Sequence, residues 1–120
     1  MAIAGYELED RCERFAKRVR AFIKTLPRTL TNLDDARQLG RSSGSIGANY
    51  IKANEGLTIK ERKHRMRVAR KEAKESRWWL RLLDPGVDSA VERERALLEQ
   101  EAGELLRILS SIILKLEDGG

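Results

Sequence analysis

A chain of 120 residues, 41% hydrophobic and 36% charged, is long enough for one hydrophobic core and one domain. Its single cysteine excludes an internal disulfide and cannot by itself build a zinc site, and no apolar run approaches the ~20 residues needed to cross a membrane. The net charge of +5 suits an acidic partner without identifying one, and the first residues lack the basic-then-apolar order of a signal peptide, so the expected location is the cytoplasm.

The first predicted helix covers about residues 6–26. Leu8, Cys12, Phe15, Val19, Phe22 and Leu26 recur at helical spacing, with Ala16 and Ile23 widening the stripe. Acids crowd its start and bases its end, which complements the helix dipole. Cys12 lies on the buried stripe and reads as a small core residue.

The second predicted helix, about 34–54, contains Ser42-Ser-Gly-Ser-Ile-Gly47, the composition of a flexible linker. Yet Ala36, Leu39, Ser43, Ile46, Tyr50 and Ala53 keep the helical period. Gly40, Gly44 and Gly47 lie beside that stripe. Three glycines inside a helix cost roughly 3 kcal/mol against alanine, so they call for a close helix crossing that offsets the loss. Gln38, Ser42 and Asn49 lie on its flank and Arg41 on its outward face with Ser45 and Lys52; Gln38, Arg41, Ser42 and Asn49 are assigned to contacts between helices or subunits. Asn32 with Asp35 reads as the capping pair, and Gly56 as a left-handed C-terminal cap.

Thr58 and Glu61 form a capping box for a third helix over about 59–83, closed by Asp84-Pro-Gly86. Met66, Ala69, Ala73, Ser76, Leu80 and Leu83 make its inward face. Between Lys60 and Arg81 the net charge is +7, leaving −2 for the rest of the chain. Lys60, Lys63, Arg67, Lys71, Lys74 and Arg81 share one outward arc with Trp78, while Trp79 projects to the opposite flank near Val68 and Glu72. A basic helical stripe containing an aromatic can meet a phosphate backbone and stack a base. The competing reading is a solvated face, with Trp78 packed under lysine stems or into a neighbouring subunit.

Ser89 and Glu92 repeat the capping box for a fourth helix over about 89–117. Leu98, Ala102, Leu105, Leu109, Ile112 and Leu116 form its core stripe, and Leu97, Leu106 and Ile113 are read as a second stripe shared with another subunit. Short connections between four helices predict an all-α, antiparallel up-down-up-down four-helix bundle spanning residues 1–120 as one domain.

Nothing in this pattern calls for catalysis or a cofactor. The one histidine, His64, lies on the outer side of the third helix without metal-ligand spacing around it. Glu-x-x-His motifs of di-iron bundles are absent. The Ser/Gly tract lacks the Gly-Lys-Ser/Thr ending of a phosphate loop. The expectation is a protein with no catalytic residues, no metal and no cofactor. Sequence-reading motifs such as zinc-finger spacing or a helix-turn-helix are also missing.

Three segments resemble a known family: Gln38-Leu-x-Arg-Ser-x-x-Ser-Ile-Gly-Ala-Asn-Tyr50, Lys71-Glu-Ala-x-Glu-Ser-x-Trp-Trp-Leu-x-Leu-Leu83 and Glu101-Ala-x-Glu-Leu-x-x-Ile-Leu-x-Ser-Ile-Ile113. In order and spacing they are similar to the bacterial four helix bundle proteins, many labelled 23S rRNA intervening-sequence proteins. They also resemble the accessory protein of diversity-generating retroelements, a basic pentamer that works with a reverse transcriptase and RNA. The resemblance implies a ring-shaped homopentamer, with RNA or DNA and a nucleic-acid-processing protein as candidate partners, and no membrane. It carries no established activity. One departure is Lys52, where relatives place an acid. Two expectations follow: an oligomer that binds nucleic acid through Lys60, Lys63, Arg67, Lys71, Lys74, Trp78 and Arg81, or a protein-interaction scaffold whose basic surface is only solvated.

Overall fold

The computed structural model describes residues 5–56 and 58–119. Its elements are α1 (Gly5–Ile23), α2 (Leu30–Asn54), α3 (Ile59–Leu82) and α4 (Ser89–Gly119), with no strand among the described residues. Each helix packs on its chain neighbour, and α1 closes the bundle against α4. The long dimension is 49 Å, close to the ~46 Å expected of the 31 residues of α4 at 1.5 Å per residue. No helix among the described residues is long and apolar enough to cross a membrane.

The periodic apolar positions explain the core. Every member of the α1 stripe from Leu8 to Leu26 is buried, as are the Ala36–Ala53 positions of α2 and the Met66–Leu83 face of α3. Large buried side chains come from all four helices, including Phe15, Leu39, Ile46, Leu80, Leu98, Leu105 and Leu109. Small buried residues are interspersed on α2 and α3 (Ser42, Ser43, Ala69, Ala73, Ser76). Ser42 Oγ and Ser76 Oγ lie 2.8 Å apart across the α2–α3 seam, so two buried hydroxyls satisfy each other.

The glycines of α2 face α1. A Cβ on Gly47 would lie 3.1 Å from the Cys12 Cβ, tighter than ordinary contact, so this is the close crossing. At Gly40 the nearest atom would be Ile23 Cδ1 at 3.8 Å, and at Gly44 the Arg20 guanidinium at 3.5 Å. Only Gly47 is therefore required by close approach.

Several helix ends differ from the sequence expectation. α1 stops at Ile23, although Leu26 beyond it stays buried. α2 begins at Leu30 and is capped by Thr29, whose Oγ1 accepts from the Asn32 amide at 3.2 Å. Asn32 is buried inside the first turn instead, because its side chain is taken by tertiary bonds. Its Nδ2 donates to Pro27 O at 3.0 Å and Asp84 O at 2.8 Å, and its Oδ1 accepts from Asp84 N at 3.0 Å. One side chain thus clasps the α1–α2 and α3–α4 turns. The α4 cap is Asp88, whose Oδ1 accepts from Ala90 N at 2.9 Å; Ser89 is already helical and Glu92 pairs with Arg95. Thr58 does cap α3, accepting from Glu61 N at 3.1 Å. Gly56 does not supply a left-handed cap, since Gly86 is the one positive-φ residue (φ 74°) among those described. Gly56 is hemmed in by Arg62, whose Cγ would lie 3.0 Å from an added Cβ.

Candidate nucleic-acid interface

The third helix presents its basic residues on one side because its apolar face is fixed against α2 and α4. Lys60, Arg67, Lys71, Lys74 and Arg81 are exposed and Lys63 is partly buried. From Lys60 to Arg81 the stripe runs ~32 Å at 1.5 Å per residue. Among the described residues no ion pair engages Lys60, Lys63, Lys71 or Lys74. Arg67 is the exception, its Nη2 lying 2.7 Å from Glu117 Oε2 on α4. Both partners are exposed, so the pair is worth little and a phosphate can displace the carboxylate.

Trp78 is 49% exposed on the same arc, and the Arg81 guanidinium carbon lies 5.7 Å from its ring centroid. That is cation–π distance, and it covers part of one indole face. Three other arginines of α3 have structural contacts. Arg62 Nε donates to Gly56 O at 3.2 Å, Arg65 reaches Asn49 Oδ1 at 3.5 Å, and Arg77 lies over Gly103 of α4.

The residues expected at helix or subunit contacts separate into groups. Ser42 and Tyr50 are buried in the bundle, and Asn49 Nδ2 donates to Ser45 O at 2.9 Å within α2. Gln38 is exposed. Arg41 crosses to α3, donating to Glu72 Oε2 at 3.2 Å with Glu75 Oε1 3.5 Å away. Trp79 packs against the core from the flank facing α2. Its Nε1 and Glu72 Oε1 are buried with no hydrogen-bond partner among the described residues.

The second stripe on α4 needs correction. Ile113 is 2% exposed in the core, Leu106 is partly buried against it, and Leu97 is 47% exposed. A nine-residue step turns a helix by about 900°, or half a circle, so Leu97 and Leu106 point to opposite sides. The exposed apolar residues of α4 are Leu97 and Leu114.

Two features had no clear sequence signal. Glu72, one acid among many bases, is buried at 6% exposure and held by Arg41 from another helix. Arg95 donates to Leu80 O at 3.1 Å, satisfying an open carbonyl near the end of α3, while Glu92 and Glu99 hold its guanidinium. Those hydrogen bonds, led by Glu92, raise the Arg95 pKa further above its usual value.

Near the α2–α3 turn, Lys52, Glu55, Gly56, Glu61, His64 and Arg65 line an open cleft of about 370 Å³. It mixes both signs of charge. No group of three or more His, Cys, Asp or Glu placed to hold a metal ion occurs among the described residues. The ordered chemistry of the surface is the row of cations on α3, a geometry that can neutralise phosphates and offer one indole.

Fold and sequence define an all-α four-helix bundle with a basic third helix. The chain belongs to the 23S rRNA-intervening sequence protein family, which it matches over residues 6–111. It is similar to a crystal structure of a protein of unknown function from the S23 ribosomal protein family of Bacteroides thetaiotaomicron VPI-5482. The two share 27% identity and a TM-score of 0.76, over 88% of this chain and 97% of that one. No curated protein matches the chain.

Proposed function

We propose that this protein is a non-enzymatic, cytoplasmic, self-associating bundle that binds RNA or another nucleic acid through α3. The observation that carries the reading is the row of exposed cations, of which Lys60, Lys71 and Lys74 have no ion-pair partner among the described residues. A solvated face of this length would ordinarily alternate signs or pair its charges along the helix. Here the acids of α3 turn elsewhere: Glu72 and Glu75 meet Arg41, and Glu61 sits at the helix start. Apart from the exposed Arg67–Glu117 pair, the cations along that arc are therefore left unpaired, the condition for counterion release by a polyanion.

Self-association rests on exposed apolar side chains that one bundle does not use, among them Leu97, Leu114 and Leu30. The family resemblance makes the expected assembly a homopentameric ring, which would repeat the basic helix around an axis and multiply weak contacts. A nucleic-acid-processing protein is a compatible further partner. Filter-binding titration at two salt concentrations tests the binding: phosphate contacts require a steep loss of affinity with salt. Light scattering tests the assembly, with a mass well above 13.7 kDa expected and a micromolar monomer refuting it.

A further inference from the structure

The two ends of the α3 surface are chemically unlike. Cations occupy the arc from Lys60 to Lys74, while the one aromatic, Trp78, stands at the far end beside Arg81 and the 47%-exposed Leu82. We propose that this surface takes a junction: a paired nucleic-acid segment whose phosphates follow Lys60–Lys74, ending in an unpaired nucleotide whose base stacks on Trp78. The junction rests on the nucleic-acid reading of α3 and names the form of ligand that fits it.

The geometry separates the two functions. Lys60, Lys63, Arg67, Lys71 and Lys74 lie within fifteen residues, or ~21 Å of rigid helix from first to last. That length spans about six base pairs of duplex axis at ~3.4 Å each. Non-specific single-strand binders pair such a charged track with successive aromatics on which bases stack. No Phe, Tyr or Trp occurs between Lys60 and Arg77, and none occurs in α4 alongside. Bases splayed along this track would find only the exposed His64 imidazole to stack on, whereas paired bases, already stacked on one another, need nothing. A preformed duplex also arrives with its phosphates ordered, so binding loses less conformational entropy.

Trp78 makes the complementary demand. A duplex hides its base faces, so an indole can stack only on a terminal or unpaired base. The ring stays 49% exposed with the Arg81 guanidinium over part of one face, giving a platform with a cation beside it for the nucleotide's own phosphate. Because Trp78 follows Lys74 by about one turn, the unpaired nucleotide lies immediately beyond the paired segment.

The test measures binding of the full chain, by anisotropy, to three labelled ligands of one sequence. These are a blunt twelve-pair duplex (~12 pairs, roughly two stripe lengths), the same duplex with a short overhang, and the free single strand. Each is made in RNA and in DNA. The overhang duplex should bind about ten-fold tighter than either other form, the size of one base–aromatic stack. Trp78→Ala should abolish the preference and Trp78→Phe restore most of it; a half-exposed side chain can be replaced without unfolding the bundle, which thermal melting checks. Equal, salt-sensitive binding of blunt and overhang duplexes would overturn the junction while leaving phosphate binding intact. So would an overhang preference that survives Trp78→Ala, or a single strand that binds as tightly as the overhang duplex. Failure of all three ligands to bind would overturn the nucleic-acid reading and the junction together.

Discussion

Arg67 and Glu117 join the middle of the basic face to the last turns of α4 through a 2.7 Å ion pair. The carboxylate stands where a phosphate would stand, and both side chains are nearly half exposed. Glu117→Gln should therefore raise nucleic-acid affinity a few-fold while leaving the melting temperature almost unchanged, since exposed pairs contribute only ~0–1 kcal/mol. Parallel binding titrations and melts measure both. Unchanged affinity would mean that Arg67 takes no part in binding.

Gly47 and Gly40 should respond oppositely to added side chains. Gly47→Leu drives atoms against Cys12 and should lose about 1–3 kcal/mol in urea denaturation, despite better helix propensity. Gly40→Ala enters ordinary contact with Ile23 Cδ1 and should gain up to ~1 kcal/mol. Stabilisation by Gly47→Leu would contradict the close α1–α2 crossing.

Asn32 holds two turns with three hydrogen bonds. Asn32→Ala leaves backbone groups of Pro27 and Asp84 short of partners and should cost about 2–3 kcal/mol. Faster amide exchange at Asp84 would locate the loss. An unchanged midpoint in urea would show that water replaces the clasp without cost.

Burial pushes the Cys12 thiol up from its ordinary value of about 9 to about 12. The sign follows from proton binding: between those values the unfolded chain has released the proton and the folded chain retains it. The Cys12 contribution to stability is therefore full below about pH 9 and is lost as pH rises towards 12. A Cys12→Ala variant should lose stability less steeply over that window, and native Cys12 should resist thiol reagents at neutral pH. Equal slopes would contradict it.

Most of the scaffold was legible because burial repeats at helical period. Even the Ser/Gly tract of α2 reads as helix once Leu39, Ile46 and Tyr50 are followed instead of the glycines. The caps were less legible because adjacent residues compete: Thr29 stands close to Asn32 and Asp88 beside Ser89, and tertiary bonds decided the first case. The burial of Glu72 was not legible because its partner, Arg41, lies 31 residues away. In the candidate interface, the exposure of Lys60, Lys71 and Lys74 followed from helix phase alone. The Arg67–Glu117 pair could not be read in advance, since it depends on how far α4 runs past α3.

The most direct measurement reverses the centre of the stripe. Arg67→Glu, Lys71→Glu and Lys74→Glu are combined, the mass of the assembly is checked by light scattering, and binding to a labelled strand is followed over a range of salt. With the assembly intact, affinity should fall sharply, and the slope of log affinity against log salt should become shallower by about one unit for each phosphate no longer neutralised. Undiminished binding with an unchanged salt slope would contradict α3 as the nucleic-acid surface.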